Sequence, residues 1–256
     1  MEETIAVTSA AARPATAQSV HFAPSTHREG AGRGVPDPRV PHRPGAPQPA
    51  PTAEYAARYA EERHWDVFPG TWLERVDGSP VPRCSCGDTR CEAPGAHPLD
   101  GRWSGDATGS ATAARRMWAK VPHASVLLPT GRTFDAVDVP ETAGCLALAR
   151  MERLALPLGP VASTPDGRML FLVLPGAAKK VPALVRGLGW SPGALDLATR
   201  GEGGWIAAPP TRMGTKGSVQ WACAPTAANR WLPDVEEIVA PLAYAAGREA
   251  ATARAS

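Results

Sequence analysis

The stretch from Val126 to Pro140, Val-Leu-Leu-Pro-Thr-Gly-Arg-Thr-Phe-Asp-Ala-Val-Asp-Val-Pro, constrains the fold more than any other part of the chain. Two short apolar runs flank Pro129-Thr130-Gly131, which predicts two buried strands joined by a turn. The second run carries Asp135 and Asp138, and a carboxylate on a buried strand requires partners or a metal. Side chains at i and i+2 share a strand face, whereas those at i and i+3 do not. Asp135 and Asp138 therefore point to opposite sides of a regular strand, and only a bulge would bring them together. A chemical centre, if the chain has one, is expected here.

Residues 1–50 are rich in Pro, Ala, Gly, Ser and Thr and show no hydrophobic period. They bury too little apolar surface to offset the entropy of ordering, so they are expected to be a disordered tail whose arginines (Arg28, Arg33, Arg39, Arg43) stay solvated. From Pro51 the pattern changes. Ala53, Ala56, Ala57 and Ala60 recur at helical spacing up to Arg63, with Thr52 as a possible N-cap, and Trp65 to Pro69 alternates as a strand. Further helices are predicted after Ser110, over 141–156, 181–188 and 234–245. Strands are expected over 160–163 and 168–174, joined through Thr164-Pro165-Asp166-Gly167, and again over 194–198, 204–208 and 218–222. Helices and strands mix without strict alternation. This predicts an α+β domain over 51–246, with a mixed or antiparallel sheet flanked by helices, and an unstructured 247–256.

With 27 Lys plus Arg against 25 Asp plus Glu, the net charge of +2 lacks the footprint of a dedicated nucleic-acid coat protein. No apolar run approaches the roughly 18 residues that span a bilayer, and no signal sequence is recognisable, so a cytoplasmic location with no membrane partner is expected. In a reducing compartment, clustered cysteines point to metal before disulfides. Cys84, Cys86, Cys91 and His97 place three thiolates and an imidazole in one Gly- and Pro-rich loop spanning 83–98. That is the ligand set of a closed, structural Zn²⁺ site.

The order of these pieces resembles the bifunctional DNA primase/polymerase domain of the archaeo-eukaryotic primase superfamily. The resemblance is carried by Trp65-Asp-Val-Phe-Pro, the Cys-x-Cys-x4-Cys loop closing on Gly95-Ala96-His97-Pro98, and Trp103 with Ala107-Thr108. It continues through Pro-Thr-Gly before the acidic strand, Thr164-Pro-Asp-Gly-Arg, and Gly204-Trp-Ile-Ala-Ala-Pro-Pro-Thr211 ahead of Gly217-Ser-Val-Gln-Trp221. It covers roughly residues 52–225, and the Ala, Arg and Pro usage is similar to short, high-GC actinobacterial versions.

The resemblance implies an RNA-recognition-like sheet beside a second α/β unit, and nucleotide joining by two metal ions, Mg²⁺ or Mn²⁺. It also implies an Asp-x-Asp pair on the acidic strand, a triphosphate-contacting histidine on the strand after the Gly-Arg turn, and a further acid before Ala-Pro-Pro-Thr. Asp138 matches the first aspartate, the second falls on Pro140, the histidine falls on Met169, and Asp196 stands where the third acid belongs. Arg168, Arg200, Arg212 and Thr130 are the candidates for phosphate contact. These departures favour a catalytically degenerate domain that retains nucleic-acid, nucleotide or protein-partner binding. Two alternatives are an active enzyme whose metals are held by Asp138, Asp196 and either Asp135 or Glu141 in an altered geometry, and a regulatory or structural protein with no nucleic-acid role.

Overall fold

The computed structural model describes residues 51–227, 229 and 231–255; the expected tail lies outside them. In chain order the elements are α1 (Pro51–Arg63), β1 (Phe68–Gly70), β2 (Leu73–Glu74), β3 (Arg83–Cys84), α2 (Trp103–Asp106), α3 (Ala111–Lys120), β4 (Ser125–Pro129), β5 (Asp135–Pro140) and α4 (Glu141–Arg153). They continue with β6 (Val161–Thr164), β7 (Arg168–Val173), α5 (Ala177–Gly187), β8 (Ala198–Arg200), β9 (Trp205–Ala207), β10 (Arg212–Met213), β11 (Gly217–Ser218), β12 (Gln220–Cys223) and α6 (Val235–Ala255).

A five-stranded sheet in the order β12-β6-β7-β5-β8 holds the acidic strand near its centre. A three-stranded sheet, β1-β4-β9, takes the first apolar run. Every strand pairing among the described residues is antiparallel, so the expected α+β class holds. From β5 to β8 the chain runs β-α-β-β-α-β, with β7 lying between β5 and β6, which is a split β-α-β arrangement.

Alternation along β5 divides the core. Val137 and Val139 join Met169 and Phe171 in one apolar cluster with residues of α4, α5 and α6. Ala136 joins Leu170 and Leu172 in a second cluster with Tyr59, Trp65, Trp118 and Leu127. Trp65 and Trp118 are buried in this second cluster, and Trp65 packs against Tyr59, Phe134 and Trp221. They are packing residues rather than base-stacking surfaces.

Several local expectations shift. Ser110 caps α3 by accepting from the Ala113 N–H, but Thr52 lies within α1 and donates to the Pro122 carbonyl instead of capping. The strand expected over 194–198 begins only at Ala198. α5 starts at Ala177, ahead of the apolar period, because its first turn is fixed from another strand. Asp234 and Glu237 form a reciprocal cap ahead of α6. That helix continues to Ala255, through residues expected to be unstructured.

Candidate functional site

Asp138 sits in the middle of β5, is only 3% exposed, and faces away from the three helices. Register supplies its partners. Arg168 lies opposite Pro140 on β7, and Arg200 lies opposite Ala136 on β8. Both are therefore diagonal neighbours of Asp138 on the same face, within reach of a long side chain. Arg168 Nε donates to Asp138 Oδ1 at 2.7 Å, while Arg200 donates to Oδ2 through Nη2 at 2.7 Å and Nε at 3.0 Å. Arg168 Nη1 also reaches Asp196 Oδ2 at 2.7 Å, from the loop before β8. The bonds that Arg168 gives to Asp196 and, second, to Asp138 raise its pKa above the ordinary arginine value, against the opposing effect of burial. The result is a chain Asp196–Arg168–Asp138–Arg200 in which each oxygen of the buried carboxylate faces a cation of the protein itself.

The other expected members of the centre are elsewhere. Asp135, 2% exposed, points to the opposite side of β5, as its spacing requires. Its Oδ2 accepts the N–H groups of Gly176 and Ala178 at 3.1 Å each, at the start of α5, and its Oδ1 has no hydrogen-bond partner. No bulge interrupts the pairing of β5 with β7, so Asp135 and Asp138 do not converge. Thr130 is 3% exposed, donates to the Gly201 carbonyl at 2.6 Å, and its N–H bonds to the Gly204 carbonyl. Its hydroxyl proton is thus committed within the protein. A Cβ on Gly131, at φ +96°, would lie 2.3 Å from Glu202 Cα, so two turns interlock there. Arg212 lies on β10, outside this cluster. Met169, read as the site of a missing histidine, packs on Gly144 of α4. A side chain there faces the helices, and Arg168 is the β7 residue that flanks Asp138.

A divalent metal pair does not fit this centre. One carboxylate is present on the relevant strand face, Pro140 beside it offers no ligand, and the two guanidiniums already occupy both Asp138 oxygens. Sequence reasoning named all four members of the cluster but missed that they bind one another. The signal was available in the parity of Arg168 and Asp138 on antiparallel strands, once the register was known.

The second cluster is built locally. The ligand atoms of Cys84, Cys86, Cys91 and His97 all lie within 4.8 Å of one another. β3 brings Cys84 opposite Leu73, and Gly87 and Gly95 take positive φ to turn the loop. Thr71, buried, exchanges hydrogen bonds with the backbone of His97. His97 Nδ1 lies 2.8 Å from the Pro98 carbonyl. A carbonyl only accepts, so Nδ1 carries the proton and Nε2, 3.5 Å from Cys84 Sγ, presents its lone pair. Burial pushes the Cys84 thiol up, but backbone N–H groups of Cys86 and Gly95 outweigh it and bring its pKa down to about 6. Cys91 is pushed up to about 12, by burial first and then by Cys84 and Cys86. This donor set is able to hold a metal ion, and its softness and count fit Zn²⁺.

A profile of the family described as bifunctional DNA primase/polymerase, N-terminal, matches residues 56–235. No curated protein and no solved structure matches the chain.

Proposed function

The chain belongs to the bifunctional DNA primase/polymerase N-terminal family, and from that membership we propose a catalytically degenerate member that binds nucleic acid. The observation that carries this reading is the saturation of Asp138 by Arg168 and Arg200. Two-metal nucleotidyl transfer needs carboxylates converging on the ions. Here the positive charge beside the carboxylate is supplied by side chains, which stabilise the sheet but activate no nucleophile. Displacing both arginines would leave charged groups without partners at a site where Asp138 is almost fully buried, a cost of several kcal/mol by general experience with buried pairs. Cys84, Cys86, Cys91 and His97 would hold a structural Zn²⁺, with no ligand position left for a water. No described helix is long and apolar enough to cross a membrane. The thiol-rich loop suits a reducing, cytoplasmic setting.

The test is primer extension and de novo priming with dNTPs and Mg²⁺ or Mn²⁺, alongside an Asp138→Ala variant. Neither protein should incorporate nucleotide above background. Incorporation by the natural chain that disappears in the variant overturns the reading and installs Asp138 as a metal ligand. Binding of the same DNA, followed as a function of salt, tests the retained role, because phosphate contacts carry a steep salt dependence. Absence of any salt-dependent binding would favour a regulatory or structural protein instead.

A further inference from the structure

The arginines divide into two classes. Arg168, Arg200, Arg83 and Arg115 are held in ion pairs. Arg75 and Arg212 have no hydrogen-bond or ion-pair partner for their guanidiniums among the described residues, yet both line the same cavity of about 450 Å³. That cavity lies between the turn linking β2 to β3 and the strand β10. Its wall carries one carboxylate, Asp77, so positive charge exceeds negative; the nearby Glu74 is engaged by Arg83 at 3.2 Å. Arginine forks left unpaired in a concavity are donors suited to an oxyanion.

Two packing features hold the backbone beside these arginines. The hydroxyl of Thr211, a residue 1% exposed, accepts from the Val126 N–H and donates to the Val126 carbonyl, each at 3.0 Å, which anchors the residue before Arg212. The Ala-Pro-Pro-Thr element thus acts as a strut for Arg212. On the other side, a Cβ on Gly95 would lie 2.8 Å from both the Arg212 carbonyl oxygen and Leu73 Cγ, so the metal loop packs tightly between β10 and β2. Leu73 pairs with Cys84, and Arg75 follows two residues later. The four-ligand loop therefore packs against the backbone that carries both arginines.

We propose that this cavity is a phosphate-binding site for the backbone of a single nucleic-acid strand, with Arg75 and Arg212 as the binding residues. It rests on the nucleic-acid reading above and locates the contact away from Asp138. The cavity wall has no aromatic ring and no amide side chain, so it offers nothing to stack or select a base. The group recognised is the phosphate alone, independent of sequence.

The experiment measures fluorescence anisotropy of a labelled single-stranded oligodeoxynucleotide with the full, zinc-loaded chain over a salt series. An Arg75→Gln/Arg212→Gln double variant should bind about tenfold more weakly, with a salt slope shallower by about 0.7 for the lost phosphate. The Arg75→Lys/Arg212→Lys variant should keep the slope while losing part of the affinity. Both positions are exposed, so melting temperatures should stay unchanged. If the natural chain binds the strand and the Gln variant binds with the same affinity and slope, this site is wrong while the family reading stands. If the strand does not bind but inorganic phosphate stabilises the natural chain and not the Gln variant, the strand assignment is overturned. If neither ligand binds, the nucleic-acid reading fails and this site fails with it.

Discussion

The Asp138 centre and the cysteine loop solve the same problem in opposite ways. Each gathers groups able to hold a cation among them. At Asp138 the chain provides that cation twice, from the neighbouring strands β7 and β8, and the centre is complete as it stands. In the loop the four donors face one another at metal-ligand spacing, and among the described residues no lysine or arginine bonds to them. One region has internalised its counter-charge, and the other presents a donor set able to take up an ion.

Metal removal should separate the two regions most sharply. A zinc chelator should lower the melting temperature by about 8–16 °C, which corresponds to roughly 4 kcal/mol if free zinc stood about 1,000-fold above its Kd. Calorimetry with and without chelator checks this, and Mg²⁺ should not restore the loss. Next in size, Asp138→Ala should cost about 3 kcal/mol, less than the upper range for buried pairs because the side chains of Arg168 and Arg200 are 24% and 45% exposed. Urea unfolding measures it. A neutral substitution, or Mg²⁺ stabilisation of the natural chain that the variant loses, would dissolve the contrast. Gly131→Ala should follow at about 2 kcal/mol, because it places a Cβ against Glu202 at a positive φ. Full tolerance of alanine would mean that the Pro-Thr-Gly turn is open rather than interlocked.

The loop was legible in the sequence because its ligands are close along the chain, from Cys84 to His97, and soft donors at such spacing have few other uses. The α+β class and the hairpin through Pro165-Asp166-Gly167 were legible for the same local reason. The Asp138 network was not, because its bonds join β5 to residues 30 and 62 positions away, and strand register is invisible without the fold. Met169 shows the cost of that gap. Matching it to a family histidine placed a polar loss in the site, whereas one residue of parity puts its side chain under α4. α5 illustrates the same limit: its start is fixed by a carboxylate on β5, and helical periodicity alone begins it at Val181.

The finest discrimination is between Asp135 and Asp138 themselves. Both are nearly fully buried on one strand, yet Asp138 binds charged side chains and Asp135 binds backbone N–H groups at the start of α5. An acceptor at a helix N-terminus contributes about 1 kcal/mol, which Asp135→Ala should lose. Asp135→Asn keeps a carbonyl oxygen facing Gly176 and Ala178, and it removes a charge whose second oxygen has no partner. It should therefore cost less than the alanine variant, about 0.5 kcal/mol or below. A metal ligand would behave in the reverse manner, since asparagine is a far weaker ligand than a carboxylate and would abolish any Mn²⁺-dependent stabilisation or incorporation. Melting temperatures of the Ala and Asn variants with and without Mn²⁺ decide the matter. A larger loss for Asn than for Ala, present only with Mn²⁺, would return Asp135 to the metal-binding role its position on the acidic strand first suggests.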